Sequence, residues 1–322
     1  MYSLISRMVL YRNLEEDSIL MKIADIIRKH EKYKGHKDFT SKQIHIVSEI
    51  NSYINQLIRL SIQYGLDGNL WHNYLTYIIM TQENPFTMLC ERSGPQEGTI
   101  NKIVKEDFKI LKKLFNYDFN VLEKDLSINC FAYISNFKVN KKTSNSYKQI
   151  SLKIKKLCKK IELSKDHNEM FDCVTEFYKN YGVGQLGLNK AFRVKKIDNK
   201  TIIEAVTDTL DVKLSNLIGY ELQKKKLFDN TKAFVQGKKA NNVLLYGDSG
   251  TGKSTAIKAI LNEFYDQGLR IIEIYKHQFN DLLEVISQIK DRNYKFIIYM
   301  DDLSFEDFEI EYKYLKAVIE GG

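Results

Sequence analysis

Over the first 180 residues, apolar side chains recur at three- and four-residue steps. Ile44, Val47, Ile50, Ile54, Leu57 and Ile58 fall on one helical stripe, and Ile150, Ile154, Leu157 and Ile161 on another. A further helix is expected from Leu70 to Met80, before a turn at Asn84-Pro85. The pattern then changes. Residues 181–213 read as a connector, with a joint at Gly182-Val183-Gly184-Gln185-Leu186-Gly187 and a short hairpin around Asp198-Asn199. From residue 214 short apolar runs alternate with helical stretches. Strands are expected at 244–246, 270–275 and 296–300, and helices at 221–235, 253–265, 280–290 and 308–319. That alternation implies a parallel sheet with crossover helices. The chain thus divides into a helical N-terminal domain (1–180), a connector (181–213) and an α/β domain (214–322).

Composition narrows the picture only a little. Two prolines in 322 residues, Pro85 and Pro95, leave few helix breakers. Four scattered cysteines make neither a disulfide framework nor, with six dispersed histidines, a zinc pattern. The N-terminal apolar stretch is cut by Arg7 and Arg12, so it is no signal peptide, and no apolar run reaches membrane-spanning length. These features lead to the expectation of a soluble cytoplasmic protein. The net charge of +8 raises nucleic acid as a partner, and lysines 148, 153, 155, 156, 159 and 160 form the strongest basic cluster. A solvated helix face explains that cluster more simply, because no aromatic residues interleave it.

The strongest chemical signal is Gly247-Asp248-Ser249-Gly250-Thr251-Gly252-Lys253-Ser254-Thr255, a complete G-x-x-x-x-G-K-[ST] loop between an apolar run and a helical pattern. Its glycines let backbone N–H groups approach phosphate oxygens, and the following helix adds unpaired N–H groups and its positive dipole end. Lys253 is expected to reach the β- and γ-phosphates and Ser254 to ligate Mg²⁺. A second apolar run, Lys295 to Met300, ends in Asp301 and Asp302. Asp301 is expected to hold the Mg²⁺ through water. Asp302 stands where many such ATPases carry a water-polarising Glu, and is one methylene shorter. Gly182–Gly187 satisfies G-x-G-x-x-G, but it follows a helical pattern and fails as a dinucleotide fingerprint.

Several stretches resemble AAA-type P-loop ATPases. They are Leu217-Ile218-Gly219-Tyr220-Glu221, the run from Ala240 to Asp248, Asp301-Asp302-Leu303-Ser304-Phe305-Glu306, and the ending from Leu315 to Gly322. Within that class the chain is most similar to the uncharacterised bacterial ATP-binding group called domain of unknown function 815. Asn84-Pro85-Phe86-Thr87 and the segment from Gly187 to Arg193 share the likeness. The resemblance implies ATP and Mg²⁺ as cofactors, with Ile218 and Gly219 bordering the adenine ring. It also implies an unidentified protein partner and a homo-oligomer in the full-length protein.

An AAA core has a further strand between the phosphate-loop strand and the acid-bearing strand, then a polar sensor, an arginine finger and a helical lid. None of these follows in this sequence, and a missing finger alone is worth roughly 10³–10⁵ in turnover. The expectation is therefore an incomplete sheet in a piece of a longer protein, with weak hydrolysis by this chain. Two alternatives stay open: the acid-bearing strand pairs directly with the phosphate-loop strand, or a neighbouring chain completes the sheet. Three functions follow: an ATPase that remodels a partner, a nucleotide-binding switch without efficient hydrolysis, and a helicase-loader-like ATPase associated with nucleic acid.

Overall fold

A computed structural model describes residues 1–12, 18–34, 39–138, 147–207 and 211–301. The chain divides into two compact units, Met1–Gly184 and Gln185–Gly322.

The first unit is helical. Its longer helices are Ile19–Tyr33, Phe39–Tyr64, Leu70–Thr81, Thr99–Phe115, Lys148–Leu163 and His167–Tyr181. The stripe of Ile150, Ile154, Leu157 and Ile161 is buried as expected. In Phe39–Tyr64 the buried stripe is Ile46, Ile50, Ile54 and Leu57, while Ile44 is 72% exposed. Tertiary packing has selected a face rotated from the one that includes Ile44. Asn84-Pro85 begins a helix, Pro85–Ser93. The Asn84 side chain accepts from the N–H groups of Phe86 and Thr87, and Thr87 Oγ1 accepts from the Asn84 N–H. Buried carboxylates pin backbone elsewhere in this unit. Asp107 accepts from the N–H groups of Val9, Leu10 and Tyr11 at 2.9, 2.7 and 3.0 Å. Glu91 accepts from Val183 at 2.9 Å. The Tyr178 hydroxyl donates to the Ile79 carbonyl, so the Tyr11 hydroxyl, 2.7 Å away, donates to Tyr178.

Gly184 closes the first unit with φ +72°, and a Cβ there would lie 2.0 Å from Glu83 Oε1. The positive φ favours glycine, and the exposed Glu83 side chain would have to move aside for a larger residue. The joint read from the sequence thus carries a left-handed glycine immediately before the boundary between the units.

The second unit is built on four strands: β1 (Ala191–Ile197), β2 (Lys200–Val206), β3 (Leu269–Ile274) and β4 (Lys295–Met300). Their order is β2-β1-β3-β4. β1 and β2 form an antiparallel hairpin in which Ala191 faces Val206 and Ile197 faces Lys200. The turn residues Asp198 and Asn199 have φ of +48° and +61°, the double left-handed turn that suits strand twist. β1 then runs parallel to β3, and β3 parallel to β4. The sheet is thus mixed. The hairpin expected within a connector is part of the sheet, where it adds two strands beyond β3.

β3 is buried on both faces, although it carries Arg270 and Glu273 among its four aliphatic residues. Leu269 and Ile271 join Leu227, Ile260, Leu261 and Phe264 beneath the helices Glu221–Val235 and Lys253–Phe264. Ile272 and Ile274 join Phe192, Val194, Leu282 and Val285 beneath the helix Leu282–Ile289. These elements fit an α/β fold preceded by a helical region.

One expected element is absent from the sheet. Residues 244–246 form no strand, and Leu244 and Tyr246 are 73% and 87% exposed. A strand needs a ladder partner, and β4 pairs only with β3 among the described residues. The segment is held instead by a reciprocal clamp at its start. The Asn241 N–H donates to Asn230 Oδ1 at 2.9 Å, and Asn230 Nδ2 donates to the Asn241 carbonyl at 2.9 Å. Leu245 packs, half-buried, against the cluster around Leu227. Direct pairing of β4 with residues 244–246 is likewise not formed. The helix expected at 308–319 lies outside the described residues.

Candidate functional site

The Gly247–Thr255 loop leads into the helix Lys253–Phe264 through Gly252, whose φ of +84° only glycine adopts readily. Gly247 and Gly250 also have positive φ, +141° and +78°. A Cβ on Gly252 would lie 3.0 Å from Leu217 Cδ2, so the segment carrying Ile218 and Gly219 rests against the end of the loop. That segment is tied down by Lys224, whose ammonium donates to the Leu217 carbonyl at 2.7 Å and pairs with Glu221 at 2.6 Å. An open pocket beside it is lined by Leu214, Ser215, Glu221, Lys224, Lys225 and Phe228. Ile218 itself is 96% exposed.

Within the loop, the Lys253 ammonium donates to the carbonyls of Gly247 and Asp248, each at 2.8 Å. Thr251 Oγ1 donates to the Asp248 carbonyl at 2.8 Å. These bonds fold the loop over its own lysine. Ser254 follows on the first helical turn. Its hydroxyl donates to the Asp301 carboxylate, with Oδ2 at 3.3 Å and Oδ1 at 3.4 Å. The structure thus brings Ser254, the residue after Lys253, to Asp301 at the end of the second apolar run. Asp302 lies outside the described residues.

Tyr299 joins this group and was not singled out from the sequence. Its side chain packs against the cluster under Lys253–Phe264, and strand alternation puts it on the same face as Asp301. Burial pushes its pKa up to about 12, with Ser254 opposing the rise and the Asp301 charge adding to it. The phenol therefore stays a neutral donor at physiological pH. A polar-tipped ring two residues before a strand-end carboxylate was the available signal, because alternation puts both on one face.

Among the described residues no three His, Cys, Asp or Glu side chains converge as a metal cage. Ser254 and Asp301 supply one hydroxyl and one carboxylate. Mg²⁺ is bound in this way where phosphates and water complete its octahedron. The donor set fits a cation that arrives with a phosphate ligand.

The second compact unit begins at Gln185. Residues 188–322 match the family described as "Protein of unknown function (DUF815)". The DUF815 match begins three residues into that unit and takes in the whole sheet, the glycine-rich loop and the two acids after β4. Residues 1–184, including Asn84–Thr87, lie outside the DUF815 span. No curated protein and no solved structure matches the chain. No described helix is long and apolar enough to cross a membrane.

Proposed function

We propose that residues 185–322 form a P-loop module of AAA type that binds ATP with Mg²⁺. The supporting observation is the meeting of Ser254, at the start of the helix after the glycine loop, with Asp301, at the end of the neighbouring strand. Helix start and strand end are where an open α/β sheet receives phosphate. In this reading Lys253 exchanges its two carbonyl partners for phosphate oxygens, while the N–H groups of residues 247–255 line the phosphates. Ser254 and Asp301 hold the cation, Asp301 through water. Bound Mg²⁺ would neutralise phosphate charge. Ile218 and Gly219 border the base, and the contact of Leu217 with Gly252 supports their placement beside the loop.

The same module would hydrolyse ATP to rearrange a protein partner, with Asp302 polarising the water. Asp302→Asn should then spare binding and stop turnover; unchanged turnover removes Asp302 from that role. The proposal as a whole is tested with a fluorescent ATP analogue. Saturable binding displaced by ATP and lost in Lys253→Ala supports it, and no saturable signal at high micromolar analogue counts against it.

A second reading, association with nucleic acid, draws on residues 138–165, which hold ten lysines and one carboxylate, Glu162. Part of that charge is already matched: Lys155 pairs with Asp67, Lys160 with Glu176, and Lys153 lies over the Tyr181 ring. Lys148, Lys156 and Lys159 are exposed. Binding of single- or double-stranded DNA that weakens steeply with salt, and again when these three become Gln, would favour this reading.

A further inference from the structure

The first turn of the helix Leu70–Thr81 meets the last turn of Thr99–Phe115, whose final carbonyls have no partner within their own helix. Trp71 Nε1 donates to the Leu114 carbonyl at 2.8 Å, and His72 Nε2 lies 2.8 Å from the Phe115 carbonyl. On the other side of the ring, His72 Nδ1 lies 2.8 Å from Glu162 Oε1, in the last turn of Lys148–Leu163. The imidazole thus stands between two acceptors on two different helices. A carbonyl oxygen only accepts, so the Phe115 contact places a proton on Nε2. A neutral ring then turns the Nδ1 lone pair toward an ionised carboxylate, which repels it. Both contacts are hydrogen bonds only when the pair holds one further proton, on Nδ1 or on Glu162.

We infer that His72 and Glu162 form a proton-dependent latch joining the helices Leu70–Thr81, Thr99–Phe115 and Lys148–Leu163. Imidazoles take up their second proton between about pH 5 and 8. With that proton the bond to Glu162 is charge-assisted, and the positive ring faces the negative ends of two helix dipoles. As pH rises the proton leaves to water, the Glu162 contact opens and the Phe115 bond remains. The ring also packs on Phe115, with centroids 5.1 Å apart, so the half that persists holds it in place. Attachment of the first turn of Leu70–Thr81 to the end of Lys148–Leu163 is therefore a function of pH.

The charged and titratable groups about the ring are Glu162 and Cys158 on Lys148–Leu163, and Lys112 on Thr99–Phe115. Cys158 Sγ donates to Glu162 Oε1 at 3.8 Å, and Lys112 donates to the Ile161 and Ser164 carbonyls at 2.9 and 2.8 Å. The ammonium and the N-terminal end of the ring's own helix oppose the second proton; Glu162 and the two helix ends favour it. Phe39–Tyr64 and Cys130–Ser135 also pack on Leu70–Thr81, but bring the ring no hydrogen bond or ion pair among the described residues.

The test follows the His72 ring ¹⁵N signals of the full chain through a pH titration, in wild type and in Glu162→Gln. Glu162 is 40% exposed, so its replacement should leave the fold intact. The inference expects Nε2–H alone at about pH 8.5 and both nitrogens protonated at about pH 5.5. Glu162→Gln should keep the Nε2–H form and take up the second proton at a lower pH than wild type. A proton on Nδ1 rather than Nε2 at high pH overturns the inference, because Phe115 would then not hold the ring. So does a titration that Glu162→Gln leaves unmoved.

Discussion

Ser254 Oγ lies 3.3 Å from Asp301 Oδ2, joining the first turn of one helix to the end of β4 across 47 residues of sequence. Both are near the surface, at the C-terminal side of the strands, where β4 has no second neighbour among the described residues. Asp301→Asn keeps the size of the side chain and removes its charge. It should abolish the Mg²⁺-dependent part of nucleotide binding, a loss of about tenfold or more, and leave binding in EDTA at or above the wild-type value. Parallel titrations with and without Mg²⁺ check this; an intact Mg²⁺ response would remove Asp301 from the cation site.

Gly184 predicts a local steric limit. With φ +72° and Glu83 Oε1 2.0 Å from any added Cβ, Gly184→Ala should destabilise the helical unit by about 1–3 kcal/mol. Glu83→Ala in the same chain should recover the steric part and leave the backbone strain. Urea melts of the single and double variants separate the two contributions. A neutral Gly184→Ala would show that the close approach is not maintained in solution.

Asp107 holds the N-terminal segment through three backbone N–H groups and is fully buried. Asp107→Ala leaves those donors without their acceptor, which should reduce stability by about 3 kcal/mol or more. Hydrogen exchange at Val9, Leu10 and Tyr11 should accelerate well beyond the global change. Wild-type protection at these amides in the variant would mean that other groups satisfy them.

Alkaline pH should weaken the helical unit in a defined window. Burial pushes the thiols of Cys90 and Cys158 from an ordinary 9.0 up to about 12. A raised acid pKa contributes stability that is intact below the unfolded value and is lost as pH rises toward the folded one. Melting temperatures should therefore hold to pH 9 and fall between 9 and 12. Iodoacetamide at pH 8 should leave both thiols unlabelled in the folded protein and modify them in urea, as read by peptide mass spectrometry. Rapid labelling of either in the native state would contradict their burial.

The parts of the fold legible in the sequence are those decided locally. The helix Glu221–Val235 follows from apolar periodicity, and Asp198-Asn199 announces a turn because both residues tolerate positive φ. The stripe of Ile150, Ile154, Leu157 and Ile161 was readable for the same reason. What escaped depends on partners distant in sequence. Val243 to Tyr246 has strand composition, yet a strand forms only where a neighbour supplies a ladder, and none of the described residues does. Arg193, Lys195 and Lys196 hid the sheet membership of β1; they are matched by Glu273, Glu204 and Asp281 only once the hairpin is placed. At the site, the loop and Asp301 were evident from spacing. Tyr299 was not, because in a run of apolar residues a tyrosine reads as another buried ring until its oxygen is located.

The central claim is that the glycine loop and the strand-end carboxylate together hold a magnesium nucleotide. Isothermal titration of Mg·ATP into the full chain, beside the Lys253→Ala variant with its fold verified by circular dichroism, tests it most directly. Saturable heat in the wild type, reduced in EDTA and lost in the variant, is the expected result. No heat of binding in the wild type, or an isotherm that Lys253→Ala leaves unchanged, would contradict it.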